Sequence, residues 1–174
     1  KRAIDHFQNI LIGLMSELDA LRRPLTSDVC FMGPVAKRMA EAVRSYPDVF
    51  VTPMAAVAGA VADEVLAATL SGKVPQKAYV NNGGDIAFHL SEGEIFEVLS
   101  PAGLLTITSQ DSARGIATSG WQGRSHSLGI ADAVSVVAKT AAAADVAATL
   151  IANATNLPGH PAIGRCPAKQ LSPD

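Results

Sequence analysis

Lys77-Ala-Tyr-Val-Asn-Asn-Gly-Gly-Asp-Ile-Ala-Phe-His-Leu90 is the stretch whose reading decides the fold. Two apolar runs flank a cluster of amides, glycines and one carboxylate, so the chain runs out as a strand, turns and returns. The turn has two readings. One is a type I′ hairpin turn around Asn82-Gly83. The other is a ligand-facing nest: glycines reach φ > 0 and let a ligand close to the main chain. Successive N–H groups in such a turn form a concave anion site, and Asp85 enters the next strand beside it.

Working outward, Ile95–Leu99, Leu104–Ser109, Gly115–Thr118 and Val134–Ala138 are further short β-type runs. Glu92-Gly93 and Pro101-Ala-Gly103 read as hairpin connections, which makes the sheet antiparallel. Helical patterns lie on either side. Ile4, Phe7, Leu11, Leu14, Leu18 and Leu21 recur at steps of three and four and predict one buried helical face ending before Pro24. Gly33-Pro34 opens a second helix, with Val35, Met39, Val43 and Tyr46 inward and Lys37, Arg38, Glu41 and Arg44 outward. Thr52 is the expected N-cap of a third, with Pro53 at its first position. That helix starts almost entirely in small residues, which suits close packing on a sheet or close approach to a ligand. Thr140 caps a last, Ala-rich helix from Ala141 to about Ala154. The sum is one α+β domain: helices on one face of a mostly antiparallel sheet. Within it, residues 1–47 form an N-terminal helical segment, 48–156 the motif-bearing core and 157–174 an irregular tail.

A chain of 174 residues with 48% hydrophobic content suffices for a real core. Net charge of −2 and 5% aromatics argue against a nucleic-acid protein and point to small molecules or proteins as partners. Cys30 and Cys166 belong to no paired motif, so a reducing cytoplasm is the expected setting. Asp, Glu, Lys or Pro interrupts each long apolar run before it would span a bilayer, so no membrane is expected. The first residue is Lys rather than Met, so an export signal ahead of it stays open. A sheet of short strands leaves edges, for which a homodimer is one cover.

Three polar clusters carry the candidate chemistry. Asp145 and Thr149 lie one helical turn apart on one face, where carboxylate and hydroxyl oxygens suit Mg²⁺. The bland alternative is an exposed Asp and a Thr bonded to its own helix. Thr118-Ser119-Gly120 offers hydroxyls and open backbone at a strand end, as a phosphate cradle requires. Arg124 can pair with a phosphate, His126 can exchange a proton near neutral pH, and Trp121 can cover a ring; the alternative is a glycine-rich loop around a structural Trp. His6 and His160 have no evident companions. No HExxH, zinc-type Cys/His set, GxSxG or P-loop signature occurs.

In order along the chain, Pro53-Met-Ala-Ala-Val-Ala-Gly-Ala-Val-Ala-Asp63, Val80-Asn-Asn-Gly-Gly-Asp-Ile86, Ala117-Thr-Ser-Gly120, Val134-Ser-Val136 and Ala144-Asp-Val-Ala-Ala-Thr149 resemble the ApbE-like superfamily. Its best-understood members are FAD:protein FMN transferases, and the strings resemble its non-lipoprotein branch more closely still. The likeness runs from Thr52 to about Ala168 and implies a T-fold-like sheet. It implies a Mg²⁺ site at Asp145 and Thr149, completed by a main-chain carbonyl near Ala56 or Val57. It also implies a flavin or adenine nucleotide lined by Asn82, Gly83, Gly84, Asp85, Thr118, Ser119 and Gly120, with Ala56 and Gly59 at the helix start. Asp85, His126 and Arg124 are the catalytic candidates for nucleotidyl or FMN transfer. Two departures are visible. The transferases carry Lys-Gly-Tyr-Ala-Val-Asp where this chain has Ala58-Gly-Ala-Val-Ala-Asp63, and a His-x-x-Asp-Pro-x-Thr-Gly loop where it has His126-Ser-Leu-Gly-Ile-Ala-Asp132. The alternative is therefore a non-catalytic helper protein in a metabolic complex, of the kind anaerobic sulfur or homocysteine metabolism would use. The sequence also begins and ends inside what resembles a longer family chain.

Overall fold

The computed structural model describes residues 2–101, 103–123 and 126–171. Helices α1 (Arg2–Ser16), α2 (Leu18–Leu21) and α3 (Pro34–Val43) come first. A 3₁₀ turn (Pro53–Ala56) runs directly into α4 (Val57–Leu70). Strands β1 (Lys77–Asn82), β2 (Asp85–Leu90), β3 (Ile95–Ser100), β4 (Gly103–Thr108), β5 (Gly115–Ser119) and β6 (Val134–Ala138) follow, then α5 (Ala141–Ala154) and α6 (Ala168–Leu171). The α+β class with an antiparallel sheet holds.

The main sheet has the order β1-β2-β5-β6, every pair antiparallel. Strand alternation sends successive side chains to opposite faces. Ala87 meets Ala62 and Leu66 of α4 and Ala141 of α5 on the helical face. Ala117 meets Ala144 and Ala148 there. Alanines on both sides bring helix and sheet close together, which is the use of the small-residue runs. Ile86, Phe88, Leu90 and Ile116 point the other way, into a cluster with Phe96 and Ile107 of the β3–β4 ribbon. Phe88 and Phe96 stack nearly parallel at 4.7 Å between centroids. The ribbon thus covers the face of β2 that the helices leave bare, and β2 is buried on both sides.

Glu92-Gly93 does turn the chain, but β3 does not pair with β2: the two strands belong to different sheets. Packing the large Phe96 against Phe88 lifts the ribbon out of the sheet plane. Two helix expectations also change. Thr52 has extended dihedrals before Pro53 but makes no side-chain cap bond, because the first turn winds as 3₁₀. On α1 the inward face is His6, Ile10 and Leu14, while Ile4, Phe7 and Leu11 are exposed. His6 sets that rotation by reaching Glu64 at 2.8 Å.

The second core lies among the helices, around Leu21, Phe31, Val35, Met39, Val43 and Val146. Pro53–Leu70 is the one stretch among the described residues long and apolar enough to span a bilayer, and half of it is buried in this protein core. Its charges are used internally: Glu64 accepts from Arg38 at 2.8 Å as well as pairing with His6. Arg38 therefore folds onto α4 instead of pointing outward.

Candidate functional site: two carboxylates beside the glycine hairpin

The hairpin turn is centred on Gly83 and Gly84, with Asn82 paired to Asp85 across it. Both glycines have positive φ, 70° and 114°, as a type I′ turn demands. The centre is thus one residue later than Asn82-Gly83. The Gly84 N–H donates to Asn81 Oδ1 at 2.9 Å, so this donor is committed within the turn rather than to an anion. Asn82 Nδ2 donates to the Ala58 carbonyl at 3.1 Å and ties the hairpin to the start of α4.

Asp85, the first residue of β2, is 9% exposed. Burial pushes its carboxyl up to about 6, against the Thr118 N–H, which bonds the carboxylate and pulls the other way. Asp145, on α5, lies close enough to feel that charge. Burial is the larger cause of its rise to about 7, and repulsion from Asp85 adds to it. The Asp145 carboxylate accepts from Gly59 N–H at 3.0 Å and also from Ala58 N–H. It thereby serves the first turn of α4, whose own N-cap residue, Ala56, has no side chain able to do so. Ala56 is fully buried at that start, and Val57 is half-buried as the first helical residue. Thr149 follows Asp145 by one turn on the same face and is half-buried.

These positions draw Asn82, Asp85, Thr118, Ala58, Gly59 and Asp145 into one region from five separate elements. Thr118 is exposed and its hydroxyl bonds Ser135 at 2.8 Å, while Ser119 is buried. Gly120 serves packing: a Cβ there would stand 2.2 Å from the Asp132 carbonyl. Trp121 donates from Nε1 to Asp132 at 2.8 Å. His126 lies elsewhere, with φ of 50°. It lines a cleft of about 590 Å³ with Trp121, Ile130, Arg165 and Cys166, to which neither Asp85 nor Asp145 contributes. Its Nε2 is buried with no hydrogen-bond partner among the described residues. Arg124 lies outside the described residues.

The donor set decides what such a site can hold. No group of three His, Cys, Asp or Glu side chains suited to a metal occurs among the described residues. The Asp85 and Asp145 carboxylates, with the Thr149 hydroxyl one helical turn from Asp145, are oxygen donors of the kind Mg²⁺ takes alongside waters or phosphates. The mutual repulsion at Asp85 and Asp145 is the electrostatic deficit a cation would relieve.

The buried acids of α4 are functional neighbours that no motif in the sequence marks. Asp63 accepts from Ala141 N–H at 3.0 Å and Ala142 N–H at 2.9 Å, capping α5 from another helix. Glu64 holds His6 and Arg38, so His6 has a companion after all. Two adjacent carboxylates inside an Ala/Val helix were the available signal. His160 Nδ1 accepts from Ala162 N–H at 3.2 Å.

Fold and site together define an α+β protein with an acidic centre built where two helices and a hairpin meet. The chain belongs to the family described as AbpE bacteria, whose model matches residues 1–174. It is similar to the UPF0280 protein of Archaeoglobus fulgidus, 36% identical over 125 residues, 71% of this chain and 52% of the relative. The UPF0280 protein of Methanobrevibacter smithii is 36% identical over 137 residues, 75% of this chain and 56% of its own length. That of Methanocaldococcus jannaschii is 40% identical over 116 residues, 60% and 45% respectively. The chain thus spans about half the length of the curated relatives it matches.

Proposed function

We propose that this protein binds Mg²⁺ together with the phosphates of a flavin or adenine nucleotide at the Asp85–Asp145 site, as its resemblance to the ApbE-like superfamily suggests. The observation that carries the reading is the pair itself: two like charges kept together, partly buried, with no cationic side chain bonded to either among the described residues. Such an arrangement costs stability unless a cation or a shared proton occupies it.

In this reading Asp145 and Asp85 hold the metal, with the Thr149 hydroxyl and a carbonyl near Ala56 or Val57 as further oxygens. Bound Mg²⁺ supplies charge neutralisation for a diphosphate. In the metal-free protein the Asp85 carboxyl lies near 6; bound Mg²⁺ would hold it ionised, able to accept a proton but not to donate one. The glycine hairpin brings backbone to the edge of the same site without side-chain bulk. Nucleotidyl or FMN transfer is the reaction class such a site suits; His126, which lines a separate cleft, has no part in this reading.

Isothermal titration of the purified chain with FAD and with ADP, with and without 5–10 mM Mg²⁺ (about the range that saturates weak sites), tests the proposal. Heat of binding that requires Mg²⁺ and is lost in Asp145→Ala supports it. Equal binding without Mg²⁺, or none with either nucleotide, overturns it.

A further inference from the structure

The starts of α4 and α5 cross with their main chains in contact: a Cβ on Gly59 would lie 2.3 Å from the Ala141 carbonyl. Around that contact the two helices repeat one arrangement. Four residues after Gly59 comes Asp63, which bonds the N–H groups of Ala141 and Ala142. Four residues after Ala141 comes Asp145, which bonds the N–H groups of Gly59 and Ala58. Each helix supplies the carboxylate that satisfies the other's first turn, across a pseudo-twofold relation.

The surroundings of the two carboxylates differ. Asp63 is opposed by the positive charge of Arg38, which is itself fixed to Glu64 at 2.8 Å. Asp145 faces the negative charge of Asp85. One carboxylate of the exchange has a cation in its surroundings, and the other faces a second carboxylate.

We infer that Asp63 is the positioning residue of this site: by holding the first turn of α5 against α4 it sets where the Asp145 carboxylate stands relative to Asp85. The hydrogen bonds of Asp63 go to the Ala141 and Ala142 amides and not to Asp85 or Asp145. Its influence passes through the rigid first turn of α5, from Ala141 to Asp145. The inference rests on the proposed metal site for its functional meaning, but the coupling between the two carboxylates is a property of the fold and is read separately.

The test uses Asp63→Asn and Asp63→Ala, with Phe96→Ala in the distant ribbon as a control for general loss of stability. Two quantities are measured: amide hydrogen exchange at Gly59, Ala141 and Ala142, and Mn²⁺ affinity by electron paramagnetic resonance. Changing Asp63 exposes the Ala141 and Ala142 amides directly. The inference expects the Gly59 amide, bonded to Asp145 and not to Asp63, to exchange at least about tenfold faster too, and Mn²⁺ to bind about 10- to 100-fold more weakly. The effect should be smaller for Asn, which keeps one acceptor oxygen, and absent in Phe96→Ala. Should Asp63→Ala not fold, Asp63→Asn carries the test. Unchanged exchange at Gly59 in a folded Asp63 variant overturns the inference, as does an equal change in Phe96→Ala. If the unaltered protein binds no Mn²⁺, the proposed metal function fails, and exchange at Gly59 alone decides the positioning role.

Discussion

Asp145→Asn removes one of the two like charges while keeping a carbonyl oxygen for the Gly59 N–H. The sign of its effect follows from linkage. In the unfolded chain the Asp145 carboxyl ionises near 3.8, and in the folded protein near 7. Between those values the folded state binds more protons, so folding stability falls as pH rises. The loss begins near pH 4 and is complete above about pH 7. One proton held over about three pH units is worth at most ~4 kcal/mol, and the solvent that still reaches this partly buried side chain reduces that to about 2 kcal/mol. Asp85, between 3.8 and about 6, adds a loss of the same sign, as does Asp63, raised chiefly by burial. Asp111, lowered chiefly by the Thr108 backbone bond, and Asp28, lowered chiefly by the Thr26 hydroxyl, act in the opposite sense below pH 4. Urea unfolding at pH 4.5 and pH 8 measures the balance. The variant should match the parent within about 0.5 kcal/mol at pH 4.5 and exceed it by about 2 kcal/mol at pH 8, or ~4–8 °C in melting temperature. Added Mg²⁺ should close that gap at pH 8 by stabilising only the parent. A parent whose stability is flat or rises from pH 4.5 to 8 refutes the reasoning.

Gly59→Ala forces a Cβ against the Ala141 carbonyl and should cost about 1–3 kcal/mol in urea unfolding; a neutral outcome would mean the helix crossing is looser than described. Glu64→Gln leaves Arg38 and His6 without their shared carboxylate. Because both partners are over a third exposed, the expected loss is about 1–2 kcal/mol rather than the full buried-pair value, and it should shrink in 1 M NaCl. Phe88→Ala deletes a ring that is 1% exposed and stacked on Phe96. A loss of about 3–5 kcal/mol is expected, with faster amide exchange in the β3–β4 ribbon than in α4.

What the sequence disclosed follows contact range. The β1–β2 hairpin was legible because turn chemistry and alternation are local, and its glycines could form few other structures. Thr140 was legible as a cap for the same reason: its hydroxyl accepts from Ala143, three residues on. Asp145 and Thr149 stood out as a pair one helical turn apart. The partner of Asp145 at Gly59 is 86 residues away and that of Asp63 at Ala141 is 78 away, distances at which spacing carries no signal. The inward face of α1 is hidden from the sequence for a related reason. Both sides of that helix are apolar, and the choice between them is made by His6 reaching Glu64, 58 residues on. The ribbon's departure from the sheet depended on the Phe88–Phe96 stack, which alternation alone does not specify.

The carboxylates that serve helix starts from outside those helices bear on how this chain folds. Glu17 bonds the N–H groups of Met32 and Gly33 ahead of α3, Asp145 those of α4 and Asp63 those of α5. None of these acids stands in the helix it serves. Starting a helix is the unfavourable step in its formation; α5 also has its own Thr140 cap, but α4 has no side-chain cap of its own and gains one only when α5 docks. Secondary and tertiary structure should therefore appear together. A peptide covering α4 alone would be less helical than its alanine content suggests, and the intact chain should lose its helical signal and its α4–α5 contact in a single cooperative transition.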